Sequence, residues 1–133
     1  MIDRQPTLFS TSGAAFPGRA PIDAYGNGGF RFAEMSHKGS IVCLPGGIFA
    51  WDVASADAID AAAMAPIIAA LEPPAFLLLG TGARQVFPPI EVRGAFIDAG
   101  LGLEPMDTGA ACRTYNVLLR EERPVAAALI AVA

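Results

Sequence analysis

At 133 residues the chain has the length of one domain, enough to bury about two-thirds of its unfolded surface without disulfide or metal staples. Hydrophobic residues make up 53% and charged residues 17%, the reverse of the balance that keeps a chain disordered. A net charge of −4, with no run of Lys or Arg to neutralise successive phosphates, argues against nucleic-acid binding.

The opening MIDRQPTLFSTSG lacks the apolar run of a secretory signal. The longest apolar run, the nine residues of VAAALIAVA, falls short of the about 20 needed to span a membrane. Cys43 and Cys112 lie far apart in apolar stretches, as reduced core cysteines do, so a cytoplasmic protein without a membrane span is expected.

Residues 1–20 show neither a strand nor a helix period and are expected to form an irregular arm, leaving residues 21–133 as a single domain. Three short extended segments follow, GGFRF, SIVCLP and IFAWDV, with SHKG and PGG as hairpin separators. The stretch Ala54 to Leu71 is Ala-rich, and Pro66 is expected to mark the first turn of a short helix ending near Leu71. Phe76 to Leu79 is a continuous apolar run, the signature of a strand covered on both faces.

Pro88 and Pro89 suit a helix start, while Val92, Ala95, Phe96 and Ala99 recur at helical spacing and Gly100 fits the C-terminal stop. A short strand at Leu103 to Met106 leads to Asp107 or Thr108 as the cap of another helix, which buries Ala111, Tyr115, Leu118 and Leu119 and ends near Glu122. Val125 to Val132 is apolar throughout and belongs at the centre of a sheet. The order β-β-β-α-β-α-β-α-β predicts an α/β domain, with an N-terminal β-meander and a mixed sheet covered by helices.

Catalytic chemistry finds little footing. His37 is the only histidine and is expected to be a solvated turn residue; neither a zinc site nor a serine triad can be completed around it. Cys112 precedes Arg113, which could lower its pKa near a helix start, but inert packing is the expectation for both cysteines. The acids Asp52, Asp57, Asp60, Asp98, Glu104 and Asp107 are scattered, so they predict surface and caps rather than a paired acid and base. No cofactor, metal ligand set or catalytic residue is predicted.

The segment LGTGARQ is the most informative local feature, because glycines leaving the C-terminal end of a buried strand lie where open α/β sheets place their ligands. The next helix begins only near Pro89, however, so the loop lacks the strand-turn-helix geometry of a dinucleotide or P-loop site. A structural turn is expected, with an anion pocket using Arg84 and Arg113 as the alternative.

In order, the segments AYGNGGFRF, HKGSIVCLPGGIFAW, FLLLGTG, PPIEVRGAFIDAG and PMDTGAACRTYNVLLREERPVAAALIAV resemble one family over residues 20–133. It is the family that includes mitochondrial complex I assembly factor 3 and many bacterial and archaeal proteins of unknown function. The resemblance implies a three-layer α/β/α domain with a mixed sheet and no established enzymatic activity. Its eukaryotic branch serves the assembly of the respiratory NADH:ubiquinone oxidoreductase through protein partners. The residues matching family segments, Gly80, Thr81, Gly82, Arg84, Thr108, Arg113 and Asn116, form a candidate ligand or partner surface.

The functional expectation is a non-catalytic protein-binding or assembly-factor-like domain that docks on a respiratory-complex subunit or a companion factor. The rival is a small anionic-ligand-binding protein or enzyme using the loop after the Phe76 to Leu79 strand, and a structural homo-oligomer is a third reading. Arg84 and Arg113 are expected on one side of the domain, beside the Gly80 to Gly82 turn, on a surface flat enough for a protein partner.

Overall fold

The computed structural model describes residues 14–133, so the first thirteen residues of the expected arm lie outside the described part. Among the described residues, eight strands and three α-helices follow one another in the order β1 (Ile22–Gly26), β2 (Gly29–Phe32), β3 (Met35–Lys38), β4 (Ser40–Leu44), β5 (Gly47–Trp51), α1 (Ala61–Ala69), β6 (Phe76–Gly80), α2 (Ile90–Asp98), β7 (Gly102–Met106), α3 (Thr108–Arg120) and β8 (Val125–Leu129). Strands β1 to β3 form an antiparallel sheet, and the other five form a mixed sheet in the order β5-β4-β8-β6-β7. In that sheet β6 runs parallel to β7 and β8, while β4 pairs antiparallel with β5 and β8.

Alternation along the strands sorts the core into two halves. Val42, Leu44, Phe49, Leu77, Leu79, Ala126 and Ala128 pack with Met64 and Ile67 of α1 and with Val92 and Phe96 of α2. Ile41, Cys43, Ile48, Leu78, Ala127 and Leu129 face the other way, onto Ala111, Cys112 and Tyr115 of α3 and Phe30 and Phe32 of β2. The result is a three-layer α/β/α domain in which the small sheet shares a layer with α3. Both central strands, β6 and β8, are apolar on both faces, as expected for strands covered on both sides.

Three local expectations need correction. The leading segment holds five strands rather than three, and they divide between two sheets: only Ile22 of the five β1 residues is buried, and MSHK in β3 carries no apolar alternation, so neither strand shows in the sequence pattern. Helix α1 starts at Ala61, capped by the Asp60 carboxylate accepting from the Ala63 N–H at 2.8 Å, and Pro66 lies inside it. The cap and the buried Met64 and Ile67 hold the helix although proline removes one of its hydrogen bonds. His37 is not a turn residue but sits in β3, half-buried, its ring 6.2 Å from that of Phe32 and its Nε2 buried without a hydrogen-bond partner.

Candidate functional site

Three parallel strands end at the same edge, and the GTG turn after β6 meets the start of α3 there. A Cβ on Gly80 would stand 3.0 Å from the Thr108 hydroxyl and 3.1 Å from its Cα, so glycine at this position lets α3 dock closely on the sheet. Gly82 takes a φ of 106°, which favours glycine, and its N–H donates to Thr108 Oγ1 at 3.0 Å while its carbonyl accepts from the Thr108 N–H at 2.9 Å. The Thr108 hydroxyl in turn donates to the Ile130 carbonyl at 2.7 Å, tying β6, β8 and α3 together. Asp107 caps α3 by accepting from the Ala110 N–H at 2.9 Å.

The Thr81 hydroxyl is occupied as well. It donates to the Arg84 carbonyl at 2.6 Å and accepts from the Val86 N–H at 3.0 Å, closing the loop on itself. An open concavity of about 420 Å³ borders this loop, lined by Ser55, Asp57, Arg84, Val86 and the last four residues of the chain. Arg84 is exposed there and, among the described residues, has no ion-pair partner.

The structure thus gathers Gly80, Thr81, Gly82, Arg84 and Thr108 at one edge. Arg113, exposed on α3, lies elsewhere along the helix beside Gly109, whose missing side chain leaves room for the Tyr25 hydroxyl, and it does not line the Arg84 concavity. Asn116 is taken up by β1: its Oδ1 accepts from the Ile22 N–H and its Nδ2 donates to the Ile22 carbonyl, both at 2.8 Å.

Neither cysteine is poised for nucleophilic work. Burial pushes the Cys112 thiol up to about 12, outweighing the downward pull of Arg113, and burial raises Cys43 further. The thiol-lowering role open to Arg113 in the sequence is therefore overridden by desolvation. Among the described residues no group of three His, Cys, Asp or Glu side chains could hold a metal ion.

A feature the sequence reading passed over lies beside the loop. Phe87, Ile90 and Ile97 are 67%, 70% and 75% exposed, and Val86 joins them at 40%. Phe87 and Ile97 border a concavity of about 400 Å³ whose wall is completed by Arg93, Leu101, Leu103 and Pro105. The signal was present: Ile90 and Ile97 are seven residues apart and fall off the stripe formed by Val92 and Phe96, so α2 is apolar on a second side. Strand β7 forms the adjacent sheet edge, but Pro105 has no N–H there and its carbonyl accepts from Gln85 Nε2 at 2.9 Å. Adding a strand at this edge is therefore disfavoured.

Fold and site together define a three-layer α/β/α domain with a mixed sheet and an exposed apolar face. The chain belongs to the family of proteins of unknown function DUF498/DUF598, whose pattern it matches over residues 22–130. It is 36% identical over 115 residues to an uncharacterised protein of Rhodobacter capsulatus, covering 86% of this chain and 87% of that one. It is also 36% identical over 110 residues to the NADH dehydrogenase [ubiquinone] 1 alpha subcomplex assembly factor 3 of Danio rerio, covering 82% of this chain but only 63% of that factor. A solved structure described as an outer membrane protein from Bartonella henselae superposes with a TM-score of 0.81 at 47% identity, covering 89% of this chain and 99% of the other. In the chain itself, no helix of the described residues is long and apolar enough to cross a membrane.

Proposed function

We propose that this chain is a non-catalytic docking module of the assembly-factor kind, acting on a subunit or companion factor of the respiratory NADH:ubiquinone oxidoreductase. The observation that carries this reading is the exposed apolar face of Phe87, Ile90 and Ile97. Soluble proteins seldom leave several large apolar side chains exposed side by side unless something covers them. An exposed aromatic beside an arginine is also the composition of an interface centre. The assembly factor named above supplies the class of partner.

Within this reading Arg84, in the loop that leads to Phe87, is a polar rim contact and Gly80, Thr81, Gly82 and Thr108 hold that loop in shape, while Arg113 and Asn116 lie on α3, on the other side of the sheet from the α2 face. The rival ligand or enzyme site at the loop after β6 draws no support from the geometry, since both threonine hydroxyls are spent on internal hydrogen bonds. Free, buried Cys43 and Cys112 fit a reducing compartment, and we place the protein in the cytoplasm.

The test is affinity isolation of the tagged native protein beside its Phe87→Asp, Ile97→Asp double variant. Subunits or assembly proteins of the oxidoreductase should accompany the native chain and be lost from the variant, with both melting alike. Recovery of the same proteins with both chains would remove the apolar face from the interface, and recovery of none would remove the assembly role.

A further inference from the structure

The small sheet presents a second surface that the docking reading does not use. Phe30 and Phe32 of β2 are buried, so Arg31 between them faces outward. Its partners in register are Ala24 on β1 and Ser36 on β3, and the neighbouring row on the same face is Gly26, Gly29 and Lys38. All six residues line a concavity of about 370 Å³.

That arrangement has a built floor and two charged walls. A Cβ on Gly29 would collide with the His37 carbonyl, so the close approach of β2 and β3 requires glycine and leaves the floor bare. Arg31 and Lys38 are diagonal neighbours on adjacent strands, near enough for both long side chains to reach one small group. Arg31 Nη1 donates to Ser36 Oγ at 3.1 Å, which ties the guanidinium to β3. No carboxylate lines the concavity, and among the described residues neither cation has an ion-pair partner. Two unneutralised positive charges thus border one concavity on a chain whose net charge is −4.

We propose that the outer face of the three-stranded sheet binds a phosphate group, held between Arg31 and Lys38 with the Ser36 hydroxyl beside them. A guanidinium and an ammonium suit a doubly charged tetrahedral oxyanion, whereas a lone carboxylate is satisfied by one arginine. The volume lies near the lower end of small-ligand sites, about 300–1,000 Å³, so the phosphate belongs to a small monoester or to an exposed headgroup rather than to a large cofactor. The site does not depend on the docking reading, because it uses none of the α2 face.

The experiment follows backbone amide shifts during titration with inorganic phosphate, and then glycerol 3-phosphate, at constant ionic strength. Saturable shifts confined to Gly26, Gly29, Arg31, Ser36 and Lys38 are expected, weakened about tenfold or more in the Arg31→Gln, Lys38→Gln double variant. Both side chains are exposed, and unchanged shifts in the rest of the variant's spectrum check that it folds. Co-sedimentation with vesicles containing phosphatidic acid, whose headgroup is a terminal phosphate monoester, separates the two sources. Saturation by the soluble monoester assigns a free ligand; vesicle binding without it, lost in the same variant, assigns a headgroup. Non-saturating shifts with no vesicle binding, or responses equal in the variant, overturn the proposal.

Discussion

Asn116 of α3 serves Ile22 as a neighbouring strand would: one amide accepts from its N–H and donates to its carbonyl, both at 2.8 Å. The helix thereby holds the edge of the small sheet at the point where β1 begins. Asn116→Ala should cost roughly 1–3 kcal/mol, because two backbone groups lose their partners at a half-buried site. Asn116→Asp keeps the acceptor but loses the donor, and should also be destabilising. Urea unfolding curves check both, and a midpoint unchanged in Asn116→Ala would show that water replaces the amide at no cost.

Thr108 plays the corresponding part at the other sheet, accepting from Gly82 and donating to Ile130 through one fully buried hydroxyl. Thr108→Val preserves shape and removes both bonds, so a buried N–H and a buried carbonyl are left short of a partner. The expected loss is about 2–4 kcal/mol, with Thr108→Ser recovering most of it. Equal melting of the Val and Ser variants would deny the hydroxyl this role.

These two residues show where the sequence was readable and where it was not. The order of helices and strands after residue 60 follows from apolar runs and helical spacing, because burial there is two-sided or strongly one-sided. The family segments likewise point to Gly80, Gly82 and Thr108. What spacing cannot reveal is which polar groups a side chain meets across 94 residues of chain, as between Asn116 and Ile22. Strands β1 and β3 were illegible for a related reason: their pairing is carried by backbone hydrogen bonds, which leave little mark on side-chain identity. The exposed apolar face was legible in Ile90 and Ile97, but a search for one core stripe per helix passes over a second.

Leu78→Asp should unfold the domain. Leu78 is 1% exposed on the central strand β6, and an unpaired buried charge costs several kcal/mol, roughly the whole stability of a typical domain. Arg120→Ala, at an exposed position on the last turn of α3, should change stability by less than about 0.5 kcal/mol. Calorimetry of the two variants should give a lost transition for the first and a near-native one for the second.

Stability should fall steeply in alkaline solution, and the cause is the cluster of Cys43, Cys112 and Tyr115. Burial raises all three above their ordinary values of 9.0 for the thiols and 10.0 for the phenol, and a hydrogen bond between Tyr115 and Cys43 adds to the rise for the tyrosine. Below about pH 9 the thiols and phenol are neutral in both states, so the folded chain bears no penalty. Above it the unfolded chain releases protons that the folded chain keeps. The native state then binds more protons than the unfolded one, and each such group lowers stability by about 1.4 kcal/mol per pH unit. The thiols act first, the phenol joins about one unit higher, and the Cys112 contribution levels off near its folded value of about 12. Cys112→Ala removes one of the three, so its melting temperature should decline more gently with pH even if its neutral-pH stability is lower. The measurement is thermal unfolding between about pH 8 and pH 11 for both chains. Parallel slopes would exclude Cys112 from the effect, and a flat native profile would mean that the buried groups ionise without unfolding the protein.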